Sequence, residues 1–265
     1  MLEKHLTVKG RPQATGWEIP PFYLPMKRIF DLLIAFVVIV FFLSWLLPIL
    51  ALLIRWDSRG PVFFVQKRVG RRSRLFTCYK LRTMVVNDQA DHRPAAGDDA
   101  RITRLGSWLR RSHLDELPQF FNVLLGSMSV VGPRPYMPAD CRVFEKIVPD
   151  AAFRHKVRPG ITGLAQARGL HDVYCDRATV LQRYRCDAYY VRNAGIVLDL
   201  RILWLTFYAY AFRMIASANR SISSNWGLHW SRKKSTPSRP KAPILSSTCA
   251  GVPTRPERKP RLETE

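Results

Sequence analysis

The stretch 29-IFDLLIAFVVIVFFLSWLLPILALLI-54 is apolar over its whole length apart from one carboxylate, Asp31. As a helix it would extend about 39 Å at roughly 1.5 Å per residue, enough to cross the hydrocarbon core of a bilayer. The run begins too far from residue 1 for a signal peptide, and no small-residue cleavage site follows it. The sequence therefore predicts a membrane-inserted helix over residues 26–56.

Two features bear on how this helix meets the membrane. Pro48 removes a backbone donor inside the run, which predicts a kink or a break there. Basic pairs flank both ends, Lys27 and Arg28 before the run and Arg55 and Arg59 after it, and such residues favour the cytoplasmic side. The residues alone leave two alternatives open: a re-entrant helix that leaves by the face it entered, or a kinked helix that crosses.

The chain after the helix alternates strand and helix patterns, which predicts an α+β domain. The blocks RGPVFFVQKRVG and RLFTCYKLRTM predict two strands of a hairpin around a basic turn at 71–74. We expect loops at 87–99 and in the blocks SMSVVGPRPYMP and VRPGITG, which are rich in Pro and Gly. Helices are predicted at RLGSWLRRS, in a segment that follows the N-cap Ser112, contains residues 117–124 and ends at Gly126, and near 140–153 and 179–191.

The end of the chain has two further segments. Residues 198–215 are apolar with few charges, which predicts a helix buried or lying in the membrane interface, with a second span as the alternative. From Asn219 onward Ser, Pro, Arg and Lys dominate, which predicts a disordered basic tail. The predicted domains are therefore an N-terminal segment (1–25), the membrane helix (26–56), a catalytic domain (57–217) and the tail (218–265).

The net charge of +22 restricts the partners more than the fold. So large a charge favours polyanions: nucleic acid, an anionic membrane surface or phosphorylated substrates. No interleaved aromatic and basic motif of a nucleic-acid-binding module is present, so we expect no nucleic acid. The five cysteines form no CxxC pair, which predicts a reduced domain facing the cytosol.

Asp115 and Glu116 are the strongest candidates for chemistry. Two adjacent carboxylates in the first turn of a predicted helix can divide the work, one attacking phosphorus and one holding a divalent metal. The alternative is an acidic first turn that only complements the helix dipole. Basic residues in Pro- and Gly-rich loops, Arg134 and Arg158 above all, suit phosphate binding. Asp199 is either an N-cap or a buried carboxylate near a metal.

The order of motifs resembles the bacterial sugar transferase family, the monotopic phosphoglycosyl transferases. The motifs are KRIFD, the apolar run, DSRGPVFFVQKRVG, FTCYKLRTM, HLDELPQ, VGPRP, VRPGITGLAQ, YYVRN and LDLRIL, and together they cover about residues 26–210. The resemblance implies a re-entrant membrane helix, a small mixed catalytic domain and interfacial amphipathic helices. It also implies transfer of a sugar 1-phosphate from a UDP-sugar to undecaprenyl (polyprenol) phosphate with release of UMP, at the cytoplasmic face of the bacterial inner membrane.

The same resemblance assigns roles to individual residues. Asp115 matches a nucleophile that forms a covalent phosphosugar intermediate, and Glu116 matches its partner at Mg²⁺, so both are expected near the metal. Leu47 and His113 depart from the commoner pattern, and the spacing over 168–186 leaves the sugar open, with glucose or galactose expected. A homodimer is left open, and an inactive scaffold or a membrane-tethered nucleic-acid-binding protein is the alternative function. The predicted substrate-binding residues are Lys80, Arg110, Arg134, Arg158, Gln166, Asp187 and Asp199.

Overall fold

The apolar run forms one long helix whose geometry changes once. In the computed structural model, residues 23–57 are helical throughout, and Pro48 lies inside the second half. The helix is not broken at Pro48. The departure from α geometry comes just before it as a π-helical segment, one of the known causes of helix bends. Here the Ser44 hydroxyl donates to the Val40 carbonyl at 2.6 Å. The parts are α1 (Tyr23–Val38), the π segment (Ile39–Leu43) and α2 (Ser44–Asp57).

The predicted hairpin is confirmed. Strands β1 (Phe63–Val69) and β2 (Leu75–Leu81) pair antiparallel, with Phe63 opposite Leu81 and Val69 opposite Leu75. The connecting turn carries Arg72 and Ser73 at positive φ.

The predicted N-cap at Ser112 is wrong. Helix α3 (Arg104–Ser112) begins after Thr103, whose hydroxyl accepts from the Gly106 amide. Ser112 is the last residue of α3, and its hydroxyl donates back to the Trp108 carbonyl, so it does not cap the next helix. That helix, α4 (Gln119–Leu124), begins after Pro118.

Two blocks predicted as loops contain short parallel strands. Strand β3 (Ser129–Val131) lies in the SMSVVGPRPYMP block and strand β4 (Gly160–Thr162) in the VRPGITG block, and they pair in parallel. Glycine allows this approach, because a Cβ on Gly160 would lie 2.1 Å from the Gly132 nitrogen. Three-residue strands give too short a pattern for sequence periodicity to detect.

The remaining helices close the domain. Helix α5 (Pro138–Ile147) and a 3₁₀ segment (Ala151–Lys156) replace the single helix predicted near 140–153. A four-residue helix, α6 (Leu164–Ala167), follows β4. The predicted helix at 179–191 is confirmed as α7 (Arg177–Arg192), and α8 (Ile196–Asn225) follows. The mixed helix-and-strand class is therefore correct.

Both halves of the apolar helix pack on this same body. Helix α1 contacts α4 and β3, and its Ala35 is buried in the main core. Helix α2 contacts α3, where Leu50 and Ile54 pack against Leu81 and Leu109. Only 17% of the most apolar 18-residue window is buried. Within the described residues, this is the one helix long and apolar enough to cross a membrane, judged by length and composition.

The structure describes residues 22–86, 99–170 and 177–225, with side chains of α8 as far as Phe212. Residues 1–218 form one unit and 219–265 a second. Most of the predicted N-terminal segment, the loop at 87–98 and the tail beyond residue 225 lie outside the described residues, so the predicted domain limits stay predictions.

Candidate active site

Asp115 and Glu116 lie in a 3₁₀ turn, Leu114–Glu116, between α3 and α4. They are therefore not in the first turn of an α-helix, and the expected support from a helix N-terminus is wrong. His113 adopts a left-handed conformation with φ of 53° and reverses the chain immediately before the turn. Histidine is among the non-glycine residues enriched in that conformation. The reversal brings both carboxylates into a largely buried position, each 8% exposed.

Glu116 is held by two cations that lie far from it in sequence. Lys80 Nζ donates to Oε1 at 2.6 Å, and the Arg134 guanidinium donates to Oε1 at 2.9 Å and to Oε2 at 3.3 Å. Burial alone would raise the pKa of Glu116, but Arg134 and Lys80 outweigh it and hold that pKa well below its usual range. Glu116 is therefore ionised at neutral pH.

Asp115 has the opposite environment. Within the described residues no hydrogen bond reaches its carboxylate, although Lys80, Arg110 and Arg134 act on it electrostatically. Burial, together with the negative charge of Glu116, raises the pKa of Asp115 to about 6, although Lys80, Arg110 and Arg134 oppose the shift. A carboxylate that is ionised near neutral pH and carries no hydrogen bond keeps its lone pairs for a substrate or a metal.

Two more arginines support this pair, and the sequence patterns did not reveal them. Arg154 donates to the Arg134 carbonyl at 2.5 Å and stacks over the Tyr136 ring at 3.9 Å, which fixes the backbone of the VGPRP block. Arg68 lies close enough to Arg134 and Glu116 for their charges to act on it, and burial lowers its pKa. The carboxylate pair therefore lies among cations supplied by four separate segments: Arg68, Lys80, Arg110 and Arg134.

Three predicted site residues lie elsewhere. Asp187 is buried and forms an ion pair with Arg154 at 3.0 Å. Arg154 in turn donates to the Arg134 carbonyl, so Asp187 is linked to the site indirectly. Arg158 donates to the Gly126 carbonyl at 2.9 Å. These contacts are structural, and direct contact of these residues with substrate stays a prediction.

Asp199 is the third, and it joins the long apolar helix to the body. Its carboxylate pairs with Lys27 at 3.1 Å and accepts from the hydroxyls of Tyr23 and Tyr190 at 3.0 and 2.8 Å. Because it lies within the first turn of α8, it is not the N-cap. Lys27 also pairs with Asp31, at 3.2 Å. Burial raises the pKa of Asp199. The sequence analysis did not predict that Lys27, Asp31 and the two tyrosines form this polar cluster with Asp199.

A cavity of about 160 Å³ is lined by Glu116 but not by the four cations around it. Leu117, Phe120 and Ile161 provide apolar walls, and Gln166 and Thr206 provide polar ones. One wall belongs to α8, where the Tyr210 hydroxyl donates to the Ser112 carbonyl and its ring packs on His113. Through these Tyr210 contacts, α8 packs against the turn that carries the carboxylates. The remaining lining residues are His113, Thr162, Ala167, Gly169, Ala209 and Tyr210.

The carboxylate pair fits a magnesium ion that is shared with a substrate. Among the described residues no group of three or more His, Cys, Asp or Glu side chains could hold a metal. Mg²⁺ is commonly bound by one or two carboxylates together with substrate phosphates and water. Asp115 offers unused oxygens beside Glu116, so the donor set matches that mode rather than a closed protein site.

Comparison with known proteins identifies the family to which the chain belongs. A family model described as bacterial sugar transferase matches residues 22–213. The undecaprenyl-phosphate glucose phosphotransferase of Komagataeibacter xylinus is 41% identical over 206 residues, which are 76% of this chain and 38% of that protein. The exopolysaccharide production protein PSS of Rhizobium leguminosarum bv. phaseoli is 44% identical over 188 residues, 69% of this chain and 94% of that protein.

A third relative acts on a different sugar. The UDP-N-acetylgalactosamine-undecaprenyl-phosphate N-acetylgalactosaminephosphotransferase of Aeromonas hydrophila is 41% identical over 187 residues, 70% of this chain and 44% of that protein. The chain thus spans less than half the length of two of these three relatives and nearly all of the third. The prediction from the motifs is confirmed: the chain belongs to the bacterial sugar transferase family.

Proposed function

We propose that this chain transfers a sugar 1-phosphate from a UDP-sugar to undecaprenyl phosphate and releases UMP, an early membrane step of exopolysaccharide or glycoconjugate synthesis. The observation that carries the proposal is the pairing of two unlike carboxylates among cations. Glu116 is clamped by Lys80 and Arg134, whereas no residue in the described part of the chain forms a hydrogen bond with the Asp115 carboxylate. Cations of this kind bind phosphate oxygens, and an unengaged carboxylate can attack phosphorus.

The transfer divides into two displacements at one phosphorus atom. The Asp115 carboxylate attacks the β-phosphorus of the UDP-sugar, and the bond to the oxygen bridging the two phosphates breaks. UMP leaves with that oxygen, and the sugar phosphate stays on Asp115. A phosphate oxygen of undecaprenyl phosphate then attacks the same phosphorus, and the carboxylate leaves. Lys80, Arg110 and Arg134 stabilise the charge that spreads over the phosphoryl oxygens.

Magnesium is the proposed cofactor. Asp115 and Glu116 are the residues that would hold it. When bound, the ion supplies charge neutralisation at the phosphate oxygens. In this chain Lys80 and Arg134 hold the Glu116 carboxylate in place, and burial limits the access of water to the carboxylate pair.

Re-entry of the apolar helix is part of the proposal. A straight helix over 23–57 would extend about 52 Å, well beyond a hydrocarbon core of about 30 Å. Yet its first turn contacts the body through Tyr23, and its last turn through the Ile54 carbonyl, which accepts from Arg82. A body on one side of a bilayer could not reach both ends of a crossing helix. This supports a helix that enters and leaves by the cytoplasmic face, with α8 in the interface.

Sided labelling tests the topology. Cysteines placed at Phe22 and Trp56, which are 79% and 88% exposed, mark the two ends of the helix. We expect a membrane-impermeant maleimide to label both in inverted inner-membrane vesicles and neither in intact spheroplasts. The protein without these substitutions controls for its own cysteines. Labelling of the two ends from opposite sides would establish a crossing helix and exclude re-entry.

The function itself is tested by product formation. The purified full-length protein, in vesicles containing undecaprenyl phosphate and Mg²⁺, should release UMP from at least one UDP-sugar in a panel of glucose, galactose and their N-acetylated amines. Labelled sugar phosphate should appear in the lipid fraction. Absence of both products from folded, membrane-bound protein would favour an inactive scaffold. Salt-sensitive binding of nucleic acid by that protein would favour the other alternative.

The pKa of Asp115 predicts how activity depends on pH. Because only the ionised carboxylate attacks, kcat/KM should be flat above about pH 6 and should fall about tenfold per pH unit below it. Higher Mg²⁺ concentration should move this acid limb to lower pH, since a nearby cation favours the ionised form. Initial rates of UMP release at fixed ionic strength measure both effects. A rate that stays constant down to about pH 4.5 would contradict the assignment.

A further inference from the structure

Gln166 lines the cavity beside Glu116 and carries a buried acceptor that none of the described residues uses. Gln166 is 8% exposed, and its amide nitrogen donates to the Ile161 carbonyl at 2.9 Å. Because the amide nitrogen is bonded to Ile161, the Oε1 atom points away from that carbonyl. It has no hydrogen-bond partner among the described residues. A buried acceptor without a donor costs free energy on the order of 1–3 kcal/mol. It therefore suits a ligand that brings a hydroxyl or an N–H group.

The other polar groups of the cavity are already engaged. Thr206 donates to the Ile202 carbonyl at 2.8 Å, so in its 2.8 Å contact with Thr162 it is the acceptor. Glu116 accepts from Lys80 and Arg134. The Gln166 Oε1 atom, in contrast, has no hydrogen bond among the described residues, and a wholly apolar ligand would leave this acceptor unsatisfied.

Size and position restrict the ligand further. An engineered apolar cavity of about 150 Å³ binds benzene, so a cavity of about 160 Å³ has room for one six-membered ring and not for a whole nucleotide sugar. The cations that suit a diphosphate do not line the cavity, whereas Glu116 borders both regions. The group in the cavity must therefore be attached directly to the phosphate at the carboxylates.

We infer that the cavity holds the transferred sugar ring and that Gln166 Oε1 accepts a hydrogen bond from one of its hydroxyl groups. This inference rests on the proposed function. The sugar is bonded directly to the phosphate that Asp115 attacks, whereas uracil is separated from it by the ribose and a second phosphate. The isoprenoid next to the acceptor phosphate has no donor for Gln166. The apolar faces of Leu117 and Phe120 suit the C–H surface of the ring.

Fluorinated donors identify the hydrogen bond. From the fastest UDP-sugar of the panel, analogues with one ring hydroxyl replaced by fluorine are compared on the unaltered protein and on Gln166→Met. At one position, fluorination should lower kcat/KM of the unaltered protein about tenfold or more, because fluorine cannot donate. At that position Gln166→Met should lose less than about twofold. Gln166→Met also loses the hydrogen bond to the Ile161 carbonyl. This loss affects the natural and the fluorinated donor equally, so it cancels in the ratio of their kcat/KM values.

A second variant separates the three candidate occupants. Ala209→Leu fills the cavity, and Ala211→Leu is the control on the same helix outside the lining. We expect Ala209→Leu to raise KM for the UDP-sugar about tenfold or more, while inhibition by UMP and the KM for undecaprenyl phosphate change less than about twofold. Weaker inhibition by UMP would indicate that uracil occupies the cavity, and a raised KM for undecaprenyl phosphate would indicate that the isoprenoid does.

Either of those two results overturns the inference. Equal fluorination effects in the unaltered protein and Gln166→Met at every position overturn it as well. None of them affects the proposed function, which fails only if the unaltered protein releases no UMP from any donor. If Gln166→Met does not fold, the Ala209→Leu comparison decides.

Discussion

Replacement of Asp115 by asparagine is expected to lower the rate of UMP release by at least about three orders of magnitude. The amide cannot form the bond to phosphorus that divides the transfer into two steps. Because Asp115 has no hydrogen bond within the described residues, the exchange breaks no hydrogen bond. It also removes a carboxylate whose ionisation is opposed by burial, so stability should not fall. Rates come from the vesicle assay, and folding from thermal melting in detergent.

The control and a direct chemical readout complete this test. Asp150→Asn removes an exposed carboxylate and should leave the rate within about twofold of the unaltered protein. Without lipid acceptor, labelled sugar phosphate should accumulate on the unaltered protein and on Asp150→Asn, and hydroxylamine should release it as expected for an acyl phosphate. Normal turnover by folded, membrane-bound Asp115→Asn would eliminate this residue as the nucleophile.

Arg134→Ala is expected to lower kcat/KM about 10²- to 10³-fold. The substitution removes both guanidinium bonds to Glu116 and one cation near the reacting phosphate, and it leaves Lys80 as the remaining hydrogen-bond donor to that buried carboxylate among the described residues. Arg134→Lys should recover only part of the loss, because an ammonium group cannot reproduce the two-pronged contact. Arg142→Ala, at an exposed position on α5, is the control.

The pH profile shows whether Arg134 acts on the chemistry or only on folding. Its positive charge lowers the pKa of Asp115, so its removal should raise that pKa and move the acid limb of kcat/KM above pH 6. A purely structural loss would reduce the amount of active protein and leave the limb where it was. An Arg134→Ala enzyme with reduced activity and an unmoved acid limb would contradict the electrostatic role.

The sequence predicted what depends on local pattern. The apolar run, the hairpin around its basic turn and the helix over 179–191 each carry a continuous periodicity or a turn signal, and each was found. The family was predicted from the order of several motifs. Asp115 and Glu116 stood out because adjacent carboxylates among basic residues are unusual, although the element that carries them was predicted wrongly.

Tertiary structure decided which distant residues act together. The 3₁₀ turn at 114–116 depends on the left-handed His113, and strands β3 and β4 are stable only as a pair that closes over Gly132 and Gly160. Arg154 and Thr206 reach the site from segments without any motif.

Asp199 shows most clearly what local sequence patterns could not predict. Its sequence suggested a cap or a metal site, whereas the fold uses it to bind Lys27 and Tyr23 of the membrane helix, more than 170 residues away along the chain. Local pattern records the secondary structure that a segment prefers, because that preference depends on neighbours within a few residues. Partnerships across such separations arise only when the folded backbone brings the segments together, so no local pattern contains them.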